Sequence, residues 1–229
     1  MSYGSESFPS VSQLWQGCIL GTIAHAIWLV QEPDFAYEQS WDGSNYSVQD
    51  GEGCRGSITF QDNNAKVIGV FRDENSPRNP LVSEEGNYSL TPFFEGIPEE
   101  LLSLANDEAL QYVLEEYEGA TQPIITTAFW NKGETLTAAE PWSEVLTHGA
   151  SILEIQLMDT DDAIEEWEAN YEMSPSQVSL MRSLFERKIA TPNSPISLNN
   201  DELNLLLSDD GEGLDESREL LGGIGIIVP

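Results

Sequence analysis

Residues 35–72 read FAYEQSWDGSNYSVQDGEGCRGSITFQDNNAKVIGVFR, and this stretch decides the fold class. It holds four short β-prone runs: Phe35–Trp41, Asn45–Gln49, Cys54–Phe60 and Ala65–Arg72. Between them stand Asp42-Gly43-Ser44, Asp50-Gly51-Glu52-Gly53 and Asp62-Asn63-Asn64, residue types that accept the backbone angles of tight turns. Phe35, Tyr37, Trp41, Tyr46, Val48, Ile58, Phe60, Val67 and Phe71 supply apolar positions at strand spacing. The pattern predicts a four-stranded antiparallel meander.

Upstream the period changes. Val11, Leu14, Trp15, Cys18 and Ile19 follow helical spacing after Ser10 or Ser12 as N-cap, and Pro33 sets a limit beyond about Gln31. Beyond Ile19 this helix is apolar nearly all round, which predicts a buried N-terminal helix. Gly17 and Gly21, four apart, would let another element approach closely. The apolar run Cys18–Val30 is 13 residues long, short of the roughly 20 a membrane span needs. No Lys or Arg precedes it, so a secretory leader is not expected, and the chain reads as soluble and cytoplasmic.

Downstream of the meander, residues 73–88 read as a loop. Helical patterns follow at Pro98–Leu104 and Asp107–Glu118. A strand at Ile124–Trp130, a turn at 131–134 and a short return strand come next. Pro141 opens a helix toward Leu157 whose continuity Gly149 puts in question, and Ala163–Tyr171 and Pro175–Ala190 are helical, the latter capped by Ser174. Leu203–Leu207 is a short helix and Gly225–Val228 a terminal strand. The expected architecture is α+β: a buried helix, the meander, then a mostly helical acidic half with one or two further strands. With no repeat and no linker-like stretch, residues 1–229 are expected to form a single domain with sub-regions 10–78 and 79–229.

Charge is the second decisive feature. The 229 residues carry 40 Asp and Glu against 9 Lys and Arg, a formal net charge of −31. Residues 1–78 contribute −6 and residues 182–229 contribute −5, whereas 79–181 contribute −20 with Lys132 as their only base. Hydrophobic residues at 40 %, with 6 Trp, 7 Tyr and 8 Phe, exclude a disordered acidic tail. A pI near 4.1 argues against direct binding to nucleic acid or to anionic lipid, which both need a cationic footprint.

Catalytic signals are sparse. Cys18 and His25 lie seven apart on one helical face, but within an apolar segment where a core thiol and core imidazole are expected. His148 is the other histidine and has no metal-ligand spacing around it. Neither Asp159–Glu168 nor Asp209-Asp210-Gly211 forms a calcium loop, and Gly222–Gly225 precedes no helix that could present amides to a phosphate. Arg72 and Arg78 bracket residues 73–77 and are expected to pair with Asp73, Glu74 or other nearby carboxylates. Arg182, Arg187 and Lys188 share one helix and are expected to face the acidic helices. No metal or cofactor is expected.

The acidic run therefore asks for its own explanation. Between Lys132 and Arg182 no base interrupts it, so like charges stand at helical neighbour positions at a cost of a few tenths of a kcal/mol per pair. A saline cytoplasm or plain solubility would favour such charge, although 27 Glu against 13 Asp weighs against the first. A basic protein partner explains both the sign and the placement. Glu115, Glu116, Asp161, Asp162, Glu165 and Glu166 are the expected contact residues, with Trp142 and Trp167 as aromatic anchors. In composition the chain is similar to bacterial immunity proteins and other acidic inhibitors. That likeness implies a non-enzymatic binding or inhibitor protein that neutralises a nuclease-like or nucleic-acid-binding partner. The alternatives are a hydrolase or transferase of unassigned chemistry, sited where Cys18, His25 or His148 meets the meander, and an accessory or structural subunit.

Overall fold

The computed structural model describes residues 7–83, 88–207 and 213–229. The chain is α+β, with a long N-terminal helix, four meander strands, and then helices mixed with further strands. Helix α1 spans Val11–Leu29, followed by strands β1 Gln39–Asp42, β2 Asn45–Gln49, β3 Arg55–Gln61 and β4 Lys66–Arg72. Pro33–Glu38 forms a turn of 3-10 helix, so β1 starts four residues later than the aromatic run at Phe35 suggests. Proline at the first turn position pre-sets the helical φ and withholds an amide, which favours a turn over a strand there.

Contacts divide the chain into two compact units, each assembled from two segments. One comprises Met1–Ser12 and Ser44–Glu154, the other Gln13–Gly43 and Ile155–Pro229. Neither coincides with the sub-regions 10–78 and 79–229.

In the first unit the strands lie in the order β2-β3-β4-β7-β8, all antiparallel, with β7 at Thr127–Lys132 and β8 at Thr135–Thr137. Asp62, Asn63 and Asn64 turn the β3–β4 hairpin with φ between 54° and 67°, a conformation that short Asx side chains tolerate. Helix α2, Glu99–Asp107, buries Leu101, Leu104 and Ala105 on one face. These pack with Phe94, Leu110 and Val113 and with Ile68, Val70, Ala128 and Trp130 of the sheet.

The predicted helix over Asp107–Glu118 does not form. Only the 3-10 turn Ala109–Tyr112 follows α2, and then β5 Leu114–Tyr117 pairs with β6 Ala120–Pro123 around Glu118 and Gly119. Leu114 and Glu116 are exposed while Glu115 and Tyr117 are half-buried, so the period is two. Further on, α3 is confined to Trp142–Thr147 and Gly149, at φ 142°, ends it. Residues 150–157 continue only as 3-10 turns.

The second unit is helical around α1. Helices α4 Thr160–Asn170, α5 Pro175–Ala190, α6 Asn200–Leu206 and α7 Leu214–Gly223 surround it. The core joins Ile19, Ile23 and Ile27 to Ile164, Leu184, Phe185 and Leu221. Ser174 caps α5 as expected, exchanging bonds with Gln177 in a capping box, and Asn199 does the same for α6 through Glu202. Strands β9 Ile196–Ser197 and β10 Ile226–Ile227 form a short parallel pair. Gly17 is required by contact: a Cβ there would lie 1.7 Å from the Gln156 carbonyl oxygen. Gly222, in α7, faces open space.

Gly17→Ala is accordingly expected to lower the unfolding free energy by about 2–3 kcal/mol, as overpacking against backbone does. Gly222→Ala leaves it unchanged or raises it by up to about 1 kcal/mol. Urea unfolding of both variants checks the contrast; equal effects would contradict the packing described.

Candidate functional site

Of four chemically capable side chains, Cys18, His25 and His148 are buried and Cys54 is half-buried. In the second unit Cys18 is fully buried, and burial pushes its thiol well above the ordinary range. His25 is not its partner in any exchange of protons. The ring Nδ1 lies 3.0 Å from the Tyr171 hydroxyl and Nε2 lies 3.1 Å from the Phe35 carbonyl oxygen. A carbonyl oxygen can only accept, so Nε2 carries the proton and Nδ1 accepts from tyrosine. Trp28 and Trp167 both stack with Tyr171, with ring centroids at 4.5 and 5.1 Å, so the pair lies in aromatic surroundings. Burial lowers the His25 pKa from 6.5 to about 4, against the raising effect of the Phe35 bond.

In the first unit His148 does meet a carboxylate and a hydroxyl. Its Nδ1 lies 2.9 Å from Ser76 Oγ and its Nε2 3.4 Å from Glu144 Oε2, four residues earlier on α3. Serine, histidine and glutamate in sequence are the components of a nucleophilic relay. Here, however, Ser76 is 2 % exposed and His148 9 %, and Ser76 Oγ also accepts from the Arg78 amide. Glu144 is engaged by Arg78 at 3.2 Å, and Arg78 reaches Glu140 at 2.7 Å. Thr126 donates to the His148 carbonyl, and the Cys54 thiol donates to the Gly149 carbonyl at 3.2 Å. Burial, followed by Asp50 and Asp73, pushes the Cys54 thiol up to about 12, so it stays protonated and a poor nucleophile. The network closes the loop 73–79 onto α3 and the sheet, and its hydroxyl is enclosed rather than offered to a substrate. Sequence reading singled out His148 alone, because Ser76 lies 72 residues away and stands in an ordinary Asn-Ser-Pro turn.

The bases show a common pattern. Arg55 and Arg72, opposite each other on β3 and β4, both donate to Glu115 Oε1, Arg55 at 2.6 Å. Arg78 holds Glu140 and Glu144, rather than Asp73 or Glu74. Arg182 pairs with Asp161 at 2.7 Å, Arg187 with Glu202 at 2.7 Å, Arg218 with Asp215, and Lys66 with Asp62 at 2.9 Å. Lys188 is buried, and its ammonium donates to the Pro192 and Ser194 carbonyl oxygens at 2.9 and 3.3 Å, closing the end of α5. All nine Lys and Arg lie in the described residues, and Lys132 alone has neither a carboxylate partner among them nor burial.

The expected contact residues separate accordingly. Glu115 is half-buried under two guanidinium groups and anchors the β5–β6 hairpin. Glu116 is exposed and accepts from Thr121 at 2.6 Å. On α4, Asp161, Asp162, Glu165 and Glu166 are all exposed, while Ala163, Ile164 and Trp167 face the core. Trp142 and Trp167 are 5 % and 6 % exposed. Trp142 packs against Phe8 and Phe129, and Trp167 against Tyr171, so both rings belong to the interior and neither is available as a surface anchor. Glu115 and Glu116 belong to one unit and the α4 acids to the other.

Among the described residues no His, Cys, Asp and Glu are grouped to hold a metal ion, and no helix is long and apolar enough to cross a membrane. Asp209-Asp210-Gly211 lies outside the described residues. Comparison with protein-family models, with curated proteins and with solved structures finds no match to this chain.

His25 sets a pH dependence. Its folded pKa of about 4 lies below the ordinary 6.5, so its contribution is complete above pH 6.5 and is lost as pH falls toward 4. The full difference corresponds to about 3 kcal/mol. Urea unfolding at pH 7 and pH 4.5 is expected to show a smaller acid-induced change in His25→Gln than in the wild type. An identical change in both proteins would contradict the buried neutral imidazole.

Proposed function

We propose that this chain is a non-enzymatic acidic binding protein, an inhibitor of the immunity type, acting in a bacterial cytoplasm on a basic, nuclease-like or nucleic-acid-binding protein. The observation that carries this reading is the disposition of the cations. Seven of the nine bases are paired with carboxylates and an eighth is buried, so the exterior is negative almost everywhere. Five exposed acids stand on α4: Asp161, Asp162, Glu165, Glu166 and Glu168. Asp162 and Glu166 are like-charged i,i+4 neighbours on a helix whose opposite face is apolar, and Glu165 stands four residues after Asp161, which Arg182 pairs. Asp161 and Asp162 suit the first turn of the helix, but beyond it folding alone would favour a base at Glu165 or Glu166. Retaining the acids supports a surface that meets a positive one, where complementary fields speed encounter and exclude wrong partners. The same field would compete with nucleic acid for a cationic cleft.

Exposed carboxylates in this number predict binding that is fast and strongly salt-dependent. Capture of a basic protein at 50 mM salt is expected to fall steeply by 500 mM, as charges separated by more than the ~4–14 Å screening length cease to interact. A variant carrying Asp162→Lys, Glu165→Lys and Glu166→Lys, exposed positions that leave the α4 core face intact, should lose the partner by at least about tenfold in affinity. Undiminished capture by the triple variant, or capture indifferent to salt, would overturn the reading.

A further inference from the structure

The one cation with neither burial nor a carboxylate partner among the described residues does not stand alone on a flat surface. Lys132, at the end of β7, lines a groove of about 430 Å³ in the first unit together with Lys66, Glu95, Glu100, Trp130 and Leu101. Two of the three lysines of the chain meet there. Lys66 is already paired with Asp62, whereas Lys132 makes no ion pair with any described residue. Glu95 and Glu100 are exposed at the same groove, so it presents both signs of charge within one concavity, over a floor that includes Trp130 and Leu101.

From the binder reading above, we infer that this groove receives an acidic side chain flanked by basic residues on the partner, with Lys132 as the residue that fixes register. The reasoning is electrostatic. A purely cationic segment is attracted to any part of a surface with net charge −31, and that attraction alone selects no position. A purely anionic ligand is repelled by the whole molecule before it reaches Lys132. A segment in which one carboxylate sits among arginines or lysines escapes both limits: its bases meet Glu95 and Glu100, and its carboxylate meets the single free ammonium. One positive charge without a carboxylate partner among exposed acids specifies register, as a charge at a fixed position does in other paired interfaces. The groove volume falls within the range of small-ligand sites, enough for a short peptide segment.

Two peptides test this by opposite signs: acetyl-KRERK-amide and acetyl-KRQRK-amide, titrated by NMR at low ionic strength. Net charge alone makes the glutamine peptide the tighter ligand. The groove makes the glutamate peptide about threefold tighter, the size of one exposed ion pair. The amide shifts should centre on Gly96, Lys132 and Gly133. In Lys132→Ala, an exposed position whose fold is verified from the same spectra, the order should revert to that of net charge. A tighter glutamine peptide on the wild type, or a glutamate advantage that survives Lys132→Ala, would overturn the inference. Binding of both peptides on the α4 face alone would also overturn it while leaving the binder reading intact; binding of neither would remove that reading as well.

Discussion

Nine bases must serve a chain with forty acids, and the structure spends almost all of them on its own folding. Lys66–Asp62 and Arg218–Asp215 are local pairs, but the others tie elements that the sequence places far apart. Arg55 and Arg72 hold the β5–β6 hairpin through Glu115, Arg78 ties the loop after β4 to α3, and Arg187 ties α5 to α6. Several of these groups are half-buried, where screening by water and salt is weaker than at an exposed site. A guanidinium also offers several fixed donors, which is why arginine fills the tying roles. Lysine appears once in the interior, as Lys188, where carbonyl oxygens alone receive its protons and burial lowers its pKa.

Most of the other described carboxylates face outward, and neighbours among them repel one another. That repulsion is affordable because each unit has an extensive apolar core of its own. In one, α2 packs on the sheet; in the other, α1 shares a core with four later helices and with Phe35 and Trp41. Hydrophobic burial at about 25 cal/mol per Å² of apolar surface exceeds surface repulsions of a few tenths of a kcal/mol per pair. The same interior holds both histidines and both tryptophans that chemistry or binding would otherwise have used. His25 is locked between Tyr171 and a carbonyl, and His148 between Ser76 and Glu144.

What was legible in the sequence was local. The turn clusters before Asn45 and after Phe60 located the meander strands, Ser174 located a capping box, and Gly17 marked a close approach. The reading failed where local preference was overridden from a distance. Leu110, Val113, Leu114 and Tyr117 satisfy a helical period, yet residues 114–117 form a strand, because Glu115 is drawn to two arginines on other strands and Glu118-Gly119 turns the chain. Pro33 converted an aromatic, strand-like run into a helical turn. For the site, sequence could report that bases were scarce but not which acids they would neutralise. Glu115 looked identical to Glu116, and only one of them faces solvent. The tryptophans misled for a related reason: Trp142 and Trp167 lie in acidic stretches, but their helical positions face inward.

Folding engages eight of the nine cations and leaves a negative exterior in which Lys132 is the one base with neither burial nor a carboxylate partner among the described residues. Paramagnetic relaxation of surface amides by a cationic and an anionic nitroxide, compared residue by residue, measures that potential directly. The account predicts enrichment of the cationic probe at every exposed stretch, strongest along α4, and weakest beside Lys132. A second region that attracts the anionic probe, or an α4 face near neutrality, would contradict it.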